Sequence, residues 1–308
     1  MNYMNSIPWI ISSTIIVWFL NTMPVQALKI SPEQVAAHQF FQIGIEQIQL
    51  SDYSKALHYF DRAIQINPNS AEAYRGCCWV DIQTENYAKA TIDCQKAIDL
   101  NKNDIESYLN LGIAYYRNNN FNLATSTYNQ LIQQYPDEAR GYYDRALVSV
   151  DKKDYLTAIS DYNQALKLSQ PLENTEIAEI YIDRGVAYLL NQETSKAMSD
   201  FSTAIAINPN NYRAYYNRGC SCSHQGEIKN AIQDFNTALS LDPFYAQAYL
   251  SRGKLYQQQR LYALALADFN QATQYFFQQG NQKQYLQAIS LTKILQQWLA
   301  STMLNFLT

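Results

Sequence analysis

The sequence predicts an all-α chain, a solenoid of about seven helix-turn-helix repeats closed by a C-terminal capping helix. Three observations carry this. An alanine recurs at Ala56, Ala90, Ala124, Ala158, Ala197, Ala231 and Ala265, at spacings of 34, 34, 34, 39, 34 and 34 residues. Upstream of these alanines lie stretches in which an aromatic is followed four positions later by a small residue: FFQIG (40–44), AYRGCC (73–78), SYLNLG (107–112), GYYDRA (141–146), IYIDRG (180–185), AYYNRG (214–219) and AYLSRG (248–253). A proline then closes units at Pro68, Pro136, Pro209 and Pro243, because proline cannot continue a helix and restricts the residue before it. A pair of helices cannot bury both of its faces alone, so stacked neighbours must supply the core.

The first 27 residues differ from everything after them. IPWIISSTIIVWFL, from Ile7 to Leu20, carries no charge, and VQA at Val25–Ala27 is a small-residue cleavage site. Residues 1–27 therefore read as a secretory signal peptide. An uncleaved membrane anchor through residues 7–25 is the alternative, because MNYMNS lacks Lys and Arg. Either way, the remaining chain is expected outside the cytoplasm. Ser31-Pro32-Glu33-Gln34 is a helix start, with Ser31 as cap, Pro32 in the first turn and Gln34 completing a capping box.

The array from 28 to 279 divides into repeats at 37–70, 71–104, 105–138, 139–172, 178–211, 212–245 and 246–279. Small residues belong where the two helices of a pair cross most closely, and aromatics fill the space between pairs. Asp52–Tyr53, Asn86–Tyr87 and Asp154–Tyr155 each read as a cap followed by an aromatic staple. Packing of this kind accounts for most of the 25 tyrosines. The 39-residue spacing puts five extra residues near PLENTEI (171–177), a longer loop or lengthened helix start and not a domain boundary. Residues 280–308 keep a helical period, with Tyr285, Ile289, Ile294, Leu295 and Trp298 suited to a cap over the last repeat.

The constellation resembles the tetratricopeptide repeat (TPR) over roughly 37–279. Tyr108, Leu111, Gly112 and Tyr115 fit the family's first helix, and Tyr181, Gly185 and Tyr188 nearly so. Ala56, Phe60 and Ala63, Ala197, Phe201 and Ala204, and Ala231, Phe235 and Ala238 fit its second. The resemblance implies a right-handed superhelix whose concave wall is made by the first helices. Positions carried over from the family place Arg75, Trp79, Asn110, Ile113, Arg117, Tyr143, Leu147, Ile182, Val186, Tyr216 and Asn217 in a peptide-binding groove, with Arg140 and Arg213 near its edge. Trp79, Ile113, Leu147 and Val186 form an apolar row suited to anchoring a guest. The carboxylate clamp of some family members is not expected, since Trp79 replaces an Asn and Asp144 stands where a cation is needed.

Other chemistry is thin. Net charge is −4, and the 23 Lys and Arg are scattered, against the basic stripe of a nucleic-acid protein. G-x-S-x-G, P-loop and H-E-x-x-H motifs are missing, so no enzyme is expected and no cofactor is implied. Cys78 and Cys94 fall at packing positions of one helix pair. Two unbridged cysteines acting as small hydrophobes are the default there, and a disulfide is the alternative. Cys220, Cys222 and His224 form a C-x-C-x-H run, but at about 100° per residue the two cysteines point apart. Cys220 and His224 leave two ligands where structural zinc needs four.

The expected function is a non-enzymatic scaffold or assembly factor that binds a peptide or helix of a partner protein in the groove. Alternatives are a small-molecule or metal sensor, a regulatory subunit of a separate enzyme, or a self-associating array such as a homodimer. YxxRG starts and a Gln-rich cap are similar to those of cyanobacterial TPR proteins, which implies the periplasm or thylakoid lumen.

Overall fold

A computed structural model describes residues 31–169 and 172–307, with side chains to Ser301; the proposed signal peptide lies outside them. The described residues form fifteen α-helices. The chain divides into two compact units, one ending at Pro171 and the other starting at Leu172.

In the first unit the helices are α1 (Pro32–Gln49), α2 (Tyr53–Ile66), α3 (Ala71–Gln83), α4 (Tyr87–Leu100), α5 (Ile105–Arg117), α6 (Phe121–Gln134), α7 (Ala139–Asp151) and α8 (Tyr155–Lys167). The second unit has α9 (Asn174–Leu190), α10 (Thr194–Ile207), α11 (Tyr212–His224), α12 (Ile228–Leu241), α13 (Ala246–Gln258), α14 (Tyr262–Gln278) and α15 (Gln282–Leu307). Helices pair in sequence order, and within each unit a second helix packs on the first helix of the next pair: α2 on α3, α4 on α5 and α6 on α7 in the first, α10 on α11 and α12 on α13 in the second. The first helices of neighbouring pairs also touch: α1 with α3, α3 with α5, α5 with α7, α9 with α11, and α11 with α13.

The caps follow the sequence in part. Ser31 makes the expected capping box with Gln34, and Asp52 and Asp154 accept from the Lys55 and Thr157 amides. Asn86 occupies its cap position without a side-chain bond to the helix amides; its Nδ2 donates to Thr84 Oγ1 instead. The turn joining the helices of each pair holds one left-handed residue at an equivalent place: Ser51, Glu85, Asn119, Lys153, Gln192, Gly226 and Arg260. Gly226 alone of these takes that conformation without a Cβ penalty.

Within a pair, a small residue meets an aromatic ring sixteen residues later. A Cβ on Gly112 would lie 2.3 Å from the Tyr128 ring, and one on Gly185 2.6 Å from Phe201. Phe60, Phe201, Phe235 and Phe269 are fully or almost fully buried here, each contributing about 2–3 kcal/mol of apolar burial. In the second repeat the same two positions hold Cys78 and Cys94, and the structure joins them by a disulfide across α3 and α4. This departs from the default expectation of two free thiols. Their Cα atoms stand 5.2 Å apart, within bridging range because a glycine-type crossing brings the helices together.

Two further readings are corrected. The extra residues near 171–177 do lengthen a helix start, since α9 has 17 residues against 13 in α7. They also fall where the two compact units divide, against the expectation that no domain boundary lies there. The cap α15 uses part of the expected face: Leu295 is buried with Ala288 and Tyr285 packs beside them, while Ile294 and Trp298 are 56% and 44% exposed. Trp298 instead lies against the Tyr262 ring.

Candidate functional site

The first helices position the candidate side chains. In the first unit Arg75, Trp79, Ile113, Arg117, Arg140, Tyr143 and Leu147 are half-buried, and Asn110 is 6% exposed. In the second, Arg213, Tyr216 and Asn217 are half-buried, Val186 is 8% exposed and Ile182 is wholly buried. Ile182 therefore belongs to the packing and offers no surface, which corrects its placement in the groove. Val186 is nearly as enclosed, so of the expected apolar row only Trp79, Ile113 and Leu147 keep partly exposed surface. Trp79 leans edge-on against Tyr53, and its indole nitrogen is buried without a partner.

Three groove cations are already engaged. Arg75 Nη1 donates to both oxygens of Asp104, at 2.9 and 3.0 Å. Arg140 donates through Nε and Nη2 to Glu138, at 2.9 and 3.0 Å, and through Nη1 to Glu106 at 2.8 Å. Arg213 donates to Glu179 and, at 2.8 Å, to Asp183. Glu106 and Arg140 are 34 residues apart, as are Glu179 and Arg213, so each pair occupies one register position in successive repeats. His38 and Glu72, 3.5 Å apart, hold that same position in the first two repeats. These ladders join neighbouring first helices. The sequence contains the signal, opposite charges one period apart, and groove reasoning that read each position singly did not use it.

Electrostatics then separate the carboxylates. Burial alone would raise Glu138, but the Arg140 hydrogen bonds and charge outweigh it and hold Glu138 below its ordinary range. Asp144 is the opposite case: burial pushes it up to about 7, Arg140 opposes this, and Glu138 and Glu106 add to it. Asp93 is raised to about 6, by burial first, with Lys89 opposing and Asp81 and Asp61 adding.

The cysteine–histidine run separates as its register requires. Cys222 is buried in the packing layer, Cys220 is half-buried and His224 is exposed. Burial raises the Cys220 thiol to about 11, so at neutral pH it is a thiol and not a soft thiolate ligand. Among the described residues no group of three or more His, Cys, Asp or Glu could hold a metal ion, and no helix is long and apolar enough to cross a membrane.

Family models described as tetratricopeptide repeat match residues 37–70 and 212–245, 109–173, and 178–211 and 246–278. Residues 71–108, which include the repeat with the disulfide, lie between these matches. No curated protein matches the chain. Among solved structures, a tetratricopeptide repeat protein from Parabacteroides merdae superposes with TM-score 0.66 at 17% identity, covering 82% of this chain and 98% of that one. The APC/C hetero-tetramer Cut9–Hcn1 gives TM-score 0.63 at 19% identity over 73% of this chain, which spans 43% of the matched chain. Yeast Tom70 gives 0.59 at 20% identity, over 73% of this chain and 47% of that one. At these identities the likeness is one of fold.

Proposed function

Because this chain belongs to the tetratricopeptide repeat family, we propose that it is a non-enzymatic scaffold or assembly factor that binds a peptide or helix of a partner protein on the face made by its first helices. One observation carries the reading. On that face Arg75, Arg140 and Arg213 are neutralised by carboxylates of the chain itself, while Trp79, Ile113 and Leu147 keep partly exposed apolar surface. Apolar anchors among cations that the chain itself has neutralised suit a protein segment better than an anion. Cut9–Hcn1 is a protein assembly, which favours the same class of role. An extracytoplasmic location belongs to this proposal, supported by the Cys78–Cys94 bridge, since disulfides persist in oxidising compartments.

The test is affinity capture from an extracytoplasmic extract with the wild type and a Trp79→Ala, Leu147→Ala double variant, each first shown to melt cooperatively. A protein retained by the wild type and lost by the variant supports the groove. Identical capture by both overturns it.

A further inference from the structure

Within the first unit, α5 and α7 lie side by side and carry Asn110 and Asp144 at equivalent positions of successive repeats. Neither side chain is paired within the described residues, and Asp144 is half-buried. Asn110 is 6% exposed, and among the described residues its amide makes no hydrogen bond. No hydrogen bond or ion pair reaches the Asp144 carboxylate either, although Arg140 sits one helical turn before it. The reason is that Arg140 has turned away: all three of its nitrogens donate to Glu138 and Glu106. At the matching position of the second unit the outcome differs, because Asp183 accepts from Arg213 at 2.8 Å.

Glu106, Glu138 and Asp144 thus set three carboxylates against one guanidinium, and the one left over is Asp144. Partial burial of a carboxylate without a partner carries a cost, and the field of its neighbours repels anions. A cation at this point would relieve both. Leu147 lies one turn beyond Asp144 and Ile113 one turn beyond Asn110, which places apolar surface beside the unpaired polar pair. That combination matches a long basic side chain, whose aliphatic stem packs on apolar groups while its head donates hydrogen bonds.

We propose that Asp144, with Asn110 at the equivalent position of the neighbouring helix, is the specificity-determining subsite of the groove and receives a Lys or Arg side chain of the bound segment. This rests on the peptide-binding reading above and narrows the partner to a segment with a basic residue next to an apolar one. The charged and titratable groups around Asp144 are Arg140, Glu138, Glu106 and the phenol of Tyr128. Arg140 and Glu138 keep their charges through neutral pH, so Asp144 is the group that switches near pH 7.

The test selects peptides from a phage-displayed random library on the full chain, then measures the selected peptide against Asp144→Asn and Leu147→Ala. The expected result is a recurring Lys or Arg in the selected sequences and binding to Asp144→Asn weaker by about 30-fold or more. Wild-type affinity should also rise from about pH 6 to about pH 8 as Asp144 ionises, a readout that needs no variant. Selected peptides without a recurring basic residue, or unchanged binding to Asp144→Asn with weakened binding to Leu147→Ala, overturn the subsite and leave the groove standing. No selected peptide, or one that binds both variants like wild type, overturns the groove reading and the subsite with it.

Discussion

Arg218 on α11 donates from Nε and Nη2 to the two oxygens of Asp234 on α12, at 2.9 and 2.8 Å. Arg145 with Asp161, Arg184 with Asp200 and Arg252 with Asp268 repeat this pairing, always sixteen residues apart. Arg145 and Arg252 also donate at 2.6 Å to Asn129 and Asn236 of the preceding repeat, so these arginines clamp two second helices to one first helix. A tyrosine ring lies against each guanidinium, and two flank Arg184 and Arg252. Removing one partner strands a mostly buried charge. Arg218→Leu should lose about 1–3 kcal/mol, reduced from the fully buried case because the Arg218 side chain is 28% exposed. Urea unfolding of the single variants and of the pair with Asp234→Asn checks it; additive losses would mean no coupling.

The disulfide takes the place of a glycine and an aromatic, so it should replace their packing as well as tether the chain. Closing a loop of sixteen residues is worth about 3 kcal/mol. A reducing agent should lower the melting temperature of the wild type. A Cys78→Gly, Cys94→Phe variant should melt near the oxidised wild type and ignore the reductant. Alkylation after denaturation without reductant should label three thiols, Cys77, Cys220 and Cys222; five labels would exclude the bridge.

The second repeat also lacks the clamp: Cys77 stands where the arginine should be, and Asp93 is its abandoned partner. Asp93 is raised from 3.8 to about 6, so between those values the folded state holds a proton that the unfolded chain releases. Stability therefore falls as pH rises through that window. Asp93→Asn should be more stable than wild type above about pH 6 by about 1–2 kcal/mol, discounted for partial exposure, with the gap closing toward pH 4. Thermal melts across pH decide it, and a constant gap would refute the assignment.

Left-handed residues in the turns offer a stability gain. Glu85 at φ 62° and Lys153 at φ 63° bear a Cβ in a region that glycine occupies freely. Glu85→Gly and Lys153→Gly should each stabilise by up to about 1 kcal/mol. Asn119→Gly, at φ 60°, should gain less because asparagine tolerates this region better. Equal gains at all three would point to loop entropy and not backbone strain.

The fold was legible from end to end of the array. Ala56 through Ala265, the aromatic-to-small steps and the prolines report contacts made within one pair or with its nearest neighbour, and those contacts repeat. The ladder from Glu106 to Arg140 and the clamp from Arg218 to Asp234 were written in the same period, as fixed charge spacings. Burial was harder: Ile182 and Trp298 hold pattern positions, yet one is sealed in and the other is turned out.

Helix count, pairing order and the small-against-aromatic crossing follow from residue type and period, because a nearest-neighbour stack makes every repeat solve the same packing problem. The sequence alone left both outcomes open at Cys78 and Cys94, where only the approach of α3 to α4 brings the sulfurs into bonding range. The state of Asp144 also waited on the assembled unit. Arg140 can reach Asp144, Glu138 or Glu106, and which carboxylates it takes depends on where a helix one repeat away sets Glu106 down. Competition among partners that far apart in the chain is settled by geometry in three dimensions, and it leaves one carboxylate unclaimed.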